Sequence, residues 1–230
     1  MEKFFKNFID EIKIMYKLYH PNVVRIYNYY LYENACTGYI LMEYIDGEDI
    51  RSFMEGYIWK EITIDSLFLQ LIDGFSYIES HGIIHRDIRD GNILIDKNGI
   101  VKIIDFGIGK TVEQGFVSED SLIEEINRAN SDTLPQEYSE GIYTSQTDMF
   151  YLAELLINEY LIDKSDFSYY EILDKMMKKN PKDRYESFLE VKSAIDKKDF
   201  LNMSISDSDK RIYQTFANSI YELINVFTSE

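Results

Sequence analysis

Apolar and polar positions change period several times along the chain, and the changes mark its elements. From residue 3 to about 19, Phe5, Phe8, Ile12, Met15 and Leu18 recur three or four apart, the spacing of an amphipathic helix, which His20-Pro21-Asn22 then stops. Two apolar stretches follow, 24 to 32 and 38 to 45. The second, Tyr39-Ile40-Leu41-Met42-Glu43-Tyr44-Ile45, reads as a buried strand entering a turn at Asp46-Gly47. A short helix is predicted near 48 to 55 and a long one over 64 to 81. Ile93-Leu94-Ile95 and Ile100-Val101-Lys102-Ile103-Ile104 flank Asp96-Lys97-Asn98-Gly99 as a predicted hairpin. Beyond it the pattern is mainly helical to the end, with a capped acidic stretch at 118 to 127 and a helix from Phe167 to Lys179. From Asp207 onward, Ile212, Phe216, Ile220, Leu223, Ile224 and Phe227 share one helical face, which can pack on its own lobe or receive a partner.

Length and composition restrict the function classes. At 230 residues with 45% apolar side chains, one domain with a sizeable core is expected. Cys36 is the only cysteine, so a disulfide scaffold and a cysteine metal cluster are excluded and a reducing, cytoplasmic location is expected. No run of 18 apolar residues marks a membrane span, and no membrane partner is expected. With 24 basic against 41 acidic residues the formal charge is −17, which argues against nucleic acid and suits docking to basic or neutral protein surfaces.

Chemistry concentrates in His85-Arg86-Asp87-Ile88-Arg89-Asp90-Gly91-Asn92, followed thirteen residues past Asn92 by Asp105-Phe106-Gly107. This pair of segments, with a hairpin between them, resembles the catalytic loop and metal turn of the eukaryotic-type serine/threonine protein kinases. The resemblance implies an α+β, protein-kinase-like fold with a truncated N-terminal β lobe and a mainly helical C-terminal lobe. It implies phosphoryl transfer from ATP to serine or threonine hydroxyls of a protein substrate, with Asp87 as the proton acceptor and Arg89 in place of a phosphate-contacting lysine. Asn92 and Asp105 would hold Mg²⁺, a hard cation that takes oxygen ligands. The helix near the start resembles the kinase αC helix and places Glu11 at its ion-pairing position. Met42 would guard the back of an adenine pocket, the backbone of Glu43, Tyr44 and Ile45 would bond the base, and Leu94 would line the site. Asp49 could reach the ribose or cap the next helix.

The resemblance continues downstream. Leu134-Pro135-Gln136-Glu137 matches a shifted end of the activation segment, Asp148 the aspartate that braces the catalytic loop, and Arg184 in Asn180-Pro181-Lys182-Asp183-Arg184 the arginine that pairs with Glu137. His85 is expected to pack under the metal turn and His20 to serve its own turn, while Asp90 is read as loop. Residues 1–200 form the expected kinase-like domain (1–45 a remnant N-lobe, 46–200 the C-lobe) and 201–230 a helical extension.

Two departures qualify the activity. No G-x-G-x-x-G occurs in the sequence and no lysine-bearing strand precedes Glu11, only Lys3 and Lys6. Losing one such donor at a developing charge lowers rate by about 10² to 10³. Between Tyr160 and Phe167 there is also no room for the usual αG helix. The readings left open are therefore a minimal kinase, a pseudokinase acting as a nucleotide-sensing or protein-binding scaffold, and a kinase whose true start lies upstream. A bare face of the first helix (Phe5, Phe8, Ile12, Met15) is expected to be covered by a second copy or a partner protein.

Overall fold

The computed structural model describes residues 9, 12–13, 15–56, 62–105, 134–139, 141–161 and 167–202, and beyond them 209, 211, 212, 215, 216, 218 and 219. The chain divides into two compact units, Met1–Ala194 and Ile195–Glu230. In the second, Ile212 and Phe216 stand 66% and 64% exposed.

The first unit opens on helical positions 9, 12, 13 and 15. Ile12 and Met15 are 0% and 6% exposed, which corrects the expectation that they stand bare: they sit three apart, on the stripe that an amphipathic helix buries within its own chain. β1 (Ile26–Tyr32) and β2 (Thr37–Met42) then pair antiparallel as a two-stranded sheet, with Tyr30 opposite Tyr39. The expectation of a buried second strand fails here. Tyr39 and Leu41 are more than half exposed because they lie with Tyr30 and Tyr32 on the uncovered face of this sheet, while Gly38 and Ile40 turn toward the half-buried side; Met42, at the end of the strand, is 46% exposed.

A second sheet positions the chemistry. β3 (Gly47–Asp49), β4 (Ile93–Asp96) and β5 (Val101–Ile103) pair antiparallel with β4 central, so Asp49, Leu94 and Lys102 form one cross-strand row. The opposite face, carrying Ile93, Ile95, Val101 and Ile103, is buried. Gly47 is required at the start of β3: a Cβ there would lie 2.0 Å from the Ile95 carbonyl oxygen.

Helices enclose that buried face. α1 (Ile50–Glu55) starts where Asp49 accepts the Ser52 amide, and α2 (Ile64–Ser80) where Thr63 accepts the Ser66 amide. α2 buries Leu67, Phe68, Leu71, Ile72, Phe75 and Ile78, each contributing about 1.5–3 kcal/mol. Phe68 meets Phe167 and Tyr169 edge-on and tilted, and Phe75 stacks on Phe188 at 5.2 Å. α3 (Gln136–Ser139), α4 (Ser145–Glu159, opened by a Thr144/Thr147 capping box), α5 (Tyr170–Met176) and α6 (Phe188–Asn202) complete the order.

The His20-Pro21-Asn22 turn is stitched to this core. Asn22 is 5% exposed and donates to Gln70 of α2 (3.0 Å) and to the Val101 carbonyl (3.1 Å), while its own carbonyl accepts the Ile103 amide (2.9 Å). His20 Nδ1 accepts the Asn22 amide, a turn role as expected. Several expected features lie outside the described residues: Glu11, Phe5 and Phe8, the segment 106–133 with Phe106 and Gly107, residues 162–166, and the C-terminal positions Ile220 to Phe227.

Candidate active site

The catalytic-loop segment runs between the end of α2 and β4, and a buried carboxylate from α4 holds it. Asp148 is 2% exposed; its Oδ2 accepts the His85 amide at 2.6 Å and its Oδ1 accepts the Arg86 amide at 2.9 Å and the Tyr143 hydroxyl at 3.0 Å. Burial pushes its carboxyl up to about 6, and the amide and hydroxyl donors act in the opposite direction. Two amides captured by one side chain fix the local backbone, and Arg86 is held at φ +66. For a residue with a Cβ the left-handed region costs about 1–2 kcal/mol, so this conformation persists through its surroundings.

His85 carries the brace onward. Its Nδ1 accepts the Asp87 amide (3.3 Å), which leaves the proton on Nε2, facing the Ile104 carbonyl at 3.0 Å. The buried ring therefore ties the loop to the strand end that leads to Asp105; Phe106 and Gly107 of the turn it was expected to pack under lie outside the described residues. Asp105 itself is exposed and adopts φ +50, a region an aspartate tolerates better than most residues.

Asn92 is fully buried at the end of a 3-10 turn over Asp90–Asn92. Its Nδ2 donates to both the Asp87 carbonyl and Asp87 Oδ2, each at 2.8 Å, and its carbonyl accepts the Ile104 amide at 3.0 Å. Asn92 Oδ1, also buried, has no hydrogen-bond partner among the described residues. An orphaned buried oxygen of this kind carries a desolvation cost of about 1–3 kcal/mol unless a cation or water meets it. Arg89 lies 3.4 Å from Asp87 Oδ2 through Nε, with its side chain 59% exposed. Asp87, Arg89 and Asn92 thus meet at one place, and the Ile104–Asn92 bond brings the Asp105 end of β5 beside them.

Asp90, read as loop from sequence, is a junction. It accepts Arg51 Nε (2.8 Å) and Nη2 (2.6 Å) from α1 and the hydroxyl of Tyr160 at the end of α4, with Glu159 3.3 Å from the same guanidinium. Burial, and then the bond to Asp90, hold the Tyr160 hydroxyl above its ordinary range. The partners stand 39 and 70 residues away, beyond any local pattern; the only signal in the sequence is a second acid three residues after Asp87.

The segment expected to meet a base runs from the end of β2 toward β3. Met42 is 46% and Tyr44 87% exposed, Ile45 and Leu94 are half-buried, and the Asp49 carboxylate is engaged as the cap of α1. Glu43 was singled out for its backbone, yet its side chain makes the tighter contact: Lys102 Nζ lies 2.7 Å from Glu43 Oε1.

Downstream, Arg184 is bidentate to Glu137, Nη1 to Oε1 at 2.6 Å and Nη2 to Oε2 at 3.0 Å, as the sequence led one to expect. Its remaining donors reach the carbonyls of Lys178, Gln146 and Lys179, so all five N–H groups are used.

The protein kinase domain model matches residues 1–212. The chain belongs to the protein kinase domain family. Among curated relatives, it is 35% identical over 113 residues to serine/threonine-protein kinase SSK22 of Saccharomyces cerevisiae, which covers 49% of this chain and 8% of that protein. It is 35% identical over 108 residues to mitogen-activated protein kinase kinase kinase 3 of Arabidopsis thaliana, covering 46% of this chain and 17% of that protein. The chain therefore spans a small part of the length of the curated relatives it matches. In fold it resembles the solved kinase domain of Mycobacterium tuberculosis PknI, with a TM-score of 0.57 and 17% identity over 85% of this chain and 79% of that one. This kinase-domain chain has no described helix long and apolar enough to cross a membrane.

Proposed function

We propose that this chain transfers the γ-phosphoryl group of ATP to serine or threonine hydroxyls of a protein substrate, with Asp87, Arg89, Asn92 and Asp105 as its chemical groups. The observation that carries this reading is the Asn92 side chain, which fixes Asp87 through its amide and leaves beside it a buried oxygen without a partner among the described residues. The oxygen-only donor set of Asn92 and Asp105 fits Mg²⁺, which when bound with ATP neutralises charge on the phosphates.

Asp87 orients the acceptor hydroxyl and takes up its proton as the oxygen–phosphorus bond forms and ADP leaves. Asn92 Nδ2, at 2.8 Å from Asp87 Oδ2, restricts that carboxylate to one orientation. Arg89 offers an exposed fork of N–H donors to the transferred phosphoryl oxygens, next to the acid that accepts the proton. Tyr44 and Ile45, with the Glu43 carbonyl, present backbone groups to the adenine, and Leu94 supplies apolar surface beneath it. The acidic balance of −17 favours substrates presenting basic or neutral surfaces, in a cytoplasmic setting. A second copy or a partner protein would find apolar area on the exposed face of β1 and β2, at Tyr30, Tyr32, Tyr39 and Leu41.

Transfer of radiolabelled phosphate from ATP to a generic acceptor protein tests the reading. Asp87→Asn, which removes the acceptor oxygen without opening a cavity, is expected to lower the rate by about 10² to 10⁴ with an unchanged melting profile. Equal rates for wild type and variant would overturn the assignment.

A further inference from the structure

The segment from Glu43 to Gly47 is pinned at both ends. At one end the Glu43 amide donates to the Arg25 carbonyl (2.8 Å), and its carboxylate accepts the Arg25 amide on Oε2 (3.2 Å) and Lys102 on Oε1 (2.7 Å). At the other end the Asp46 carbonyl accepts the Lys97 amide (3.1 Å), and Gly47 packs against β4 too closely for any side chain. Between these anchors, the backbone groups of Tyr44 and Ile45 have no backbone partner among the described residues.

Lys102 is the unexpected member. It stands on β5 in the row Asp49, Leu94, Lys102, the face of the sheet turned away from the apolar core, yet its side chain is only 13% exposed. A lysine on a non-core face is normally solvated. Here Glu43, 25% exposed, closes over it. The ion pair spans from the strand that ends at Ile103, two residues before Asp105, to the segment that presents Tyr44 and Ile45. It is a cross-tie between the two walls that a nucleotide would touch.

We infer that Lys102 and Glu43 act together as positioning residues for the nucleotide, setting the separation between the Tyr44–Ile45 backbone and the Leu94 floor and so the affinity for the adenine moiety. This rests on the phosphoryl-transfer reading above. Neither side chain contacts the reacting atoms in this role. With the pair broken, Glu43 loses its tie to β5, the partly buried Lys102 ammonium loses its counter-ion, and the backbone groups no longer meet the base at fixed spacing. Binding free energy then goes into ordering the segment. The Asp87 and Asn92 arrangement is held independently, by Asp148 and by Asn92 itself. The predicted signature is a weaker KM for ATP with a nearly unchanged kcat.

Calorimetric titration of the full chain with ADP and Mg²⁺ tests this across wild type, Lys102→Met, Glu43→Gln and the double variant, each with its melting curve. Each single change is expected to weaken nucleotide binding about tenfold, and the double no further than either single, the non-additivity of two residues that work as a unit. Lys102→Arg, which keeps the cation, is expected to stay within about threefold of wild type. Should Lys102→Met fail to fold, Glu43→Gln and Lys102→Arg carry the same comparison. Wild-type binding that every variant retains, or losses that multiply in the double variant, would overturn the positioning role alone. Absence of binding by wild type would overturn the phosphoryl-transfer reading, and the positioning role with it.

Discussion

Replacing Arg184 by alanine is the change with the largest consequence that can be worked out from the structure. The side chain is 0% exposed, and its guanidinium serves five acceptors: two oxygens of Glu137 and the carbonyls of Lys178, Gln146 and Lys179. Truncation leaves the Glu137 carboxylate, 7% exposed, with the Thr147 hydroxyl at 3.1 Å as its remaining side-chain donor. Removing one partner of a buried pair costs about 3–5 kcal/mol, because an uncompensated charge stays behind. The lost stacking of the guanidinium on Phe150, at 5.0 Å, adds a smaller amount in the same direction. For a chain of this size about 4 kcal/mol corresponds to a melting shift of roughly 8–16 °C. Replacing Glu137 as well, by leucine in an Arg184→Met background, removes the stranded charge but not the three orphaned carbonyls. The double variant is therefore expected to recover only part of the loss. Differential scanning calorimetry of the set, with the exposed Lys178→Ala as reference, measures this. A shift for Arg184→Ala no larger than that of the reference, or full recovery in the double variant, would refute the reasoning.

Two further outcomes follow from the same geometry. Asp148 has its carboxyl raised to about 6 by burial, so the folded state binds its proton more readily than the unfolded chain does; its contribution is fully present below the ordinary carboxylate range and is lost as pH rises through about 6. Urea unfolding of wild type and Asp148→Asn across pH 4 to 7 should show the stability difference moving against wild type over that interval, and a pH-independent difference would contradict it. Gly47→Ala places a Cβ 2.0 Å from the Ile95 carbonyl oxygen, a clash with backbone that only separation of β3 from β4 relieves, so a loss of about 1–3 kcal/mol is expected in denaturant titration and a neutral result would count against the register.

Local chemistry was legible in the sequence wherever its parts are close along the chain. His85 to Asn92 lie in one eight-residue segment, and a hairpin with the right length carries the Asp105 end of β5 back to them, so residue type and spacing suffice to bring Asp87, Asn92 and that strand end together. The long helix at 64 to 80 was legible for a similar reason, since its buried positions repeat at helical period. Glu137 and Arg184, 47 residues apart, were legible only through family resemblance; nothing local in either segment names the other.

Exposure of the strand at 37 to 42 was decided by tertiary structure. Alternation states which residues share a face but not whether anything covers that face. Asp90 is likewise a loop acid by every local criterion, and becomes a junction only because α1 and the end of α4 deliver Arg51 and Tyr160 to it. Lys102 reads as the polar member of a short strand, yet the fold folds Glu43 over it and removes it from water. For Asp90 and Lys102 the deciding interaction joins elements far apart in sequence, and its geometry depends on how their backbones pack and which rotamers that packing allows. Hydrophobic period encodes which side of an element is buried; it carries no information about which charged side chain will arrive there from another element.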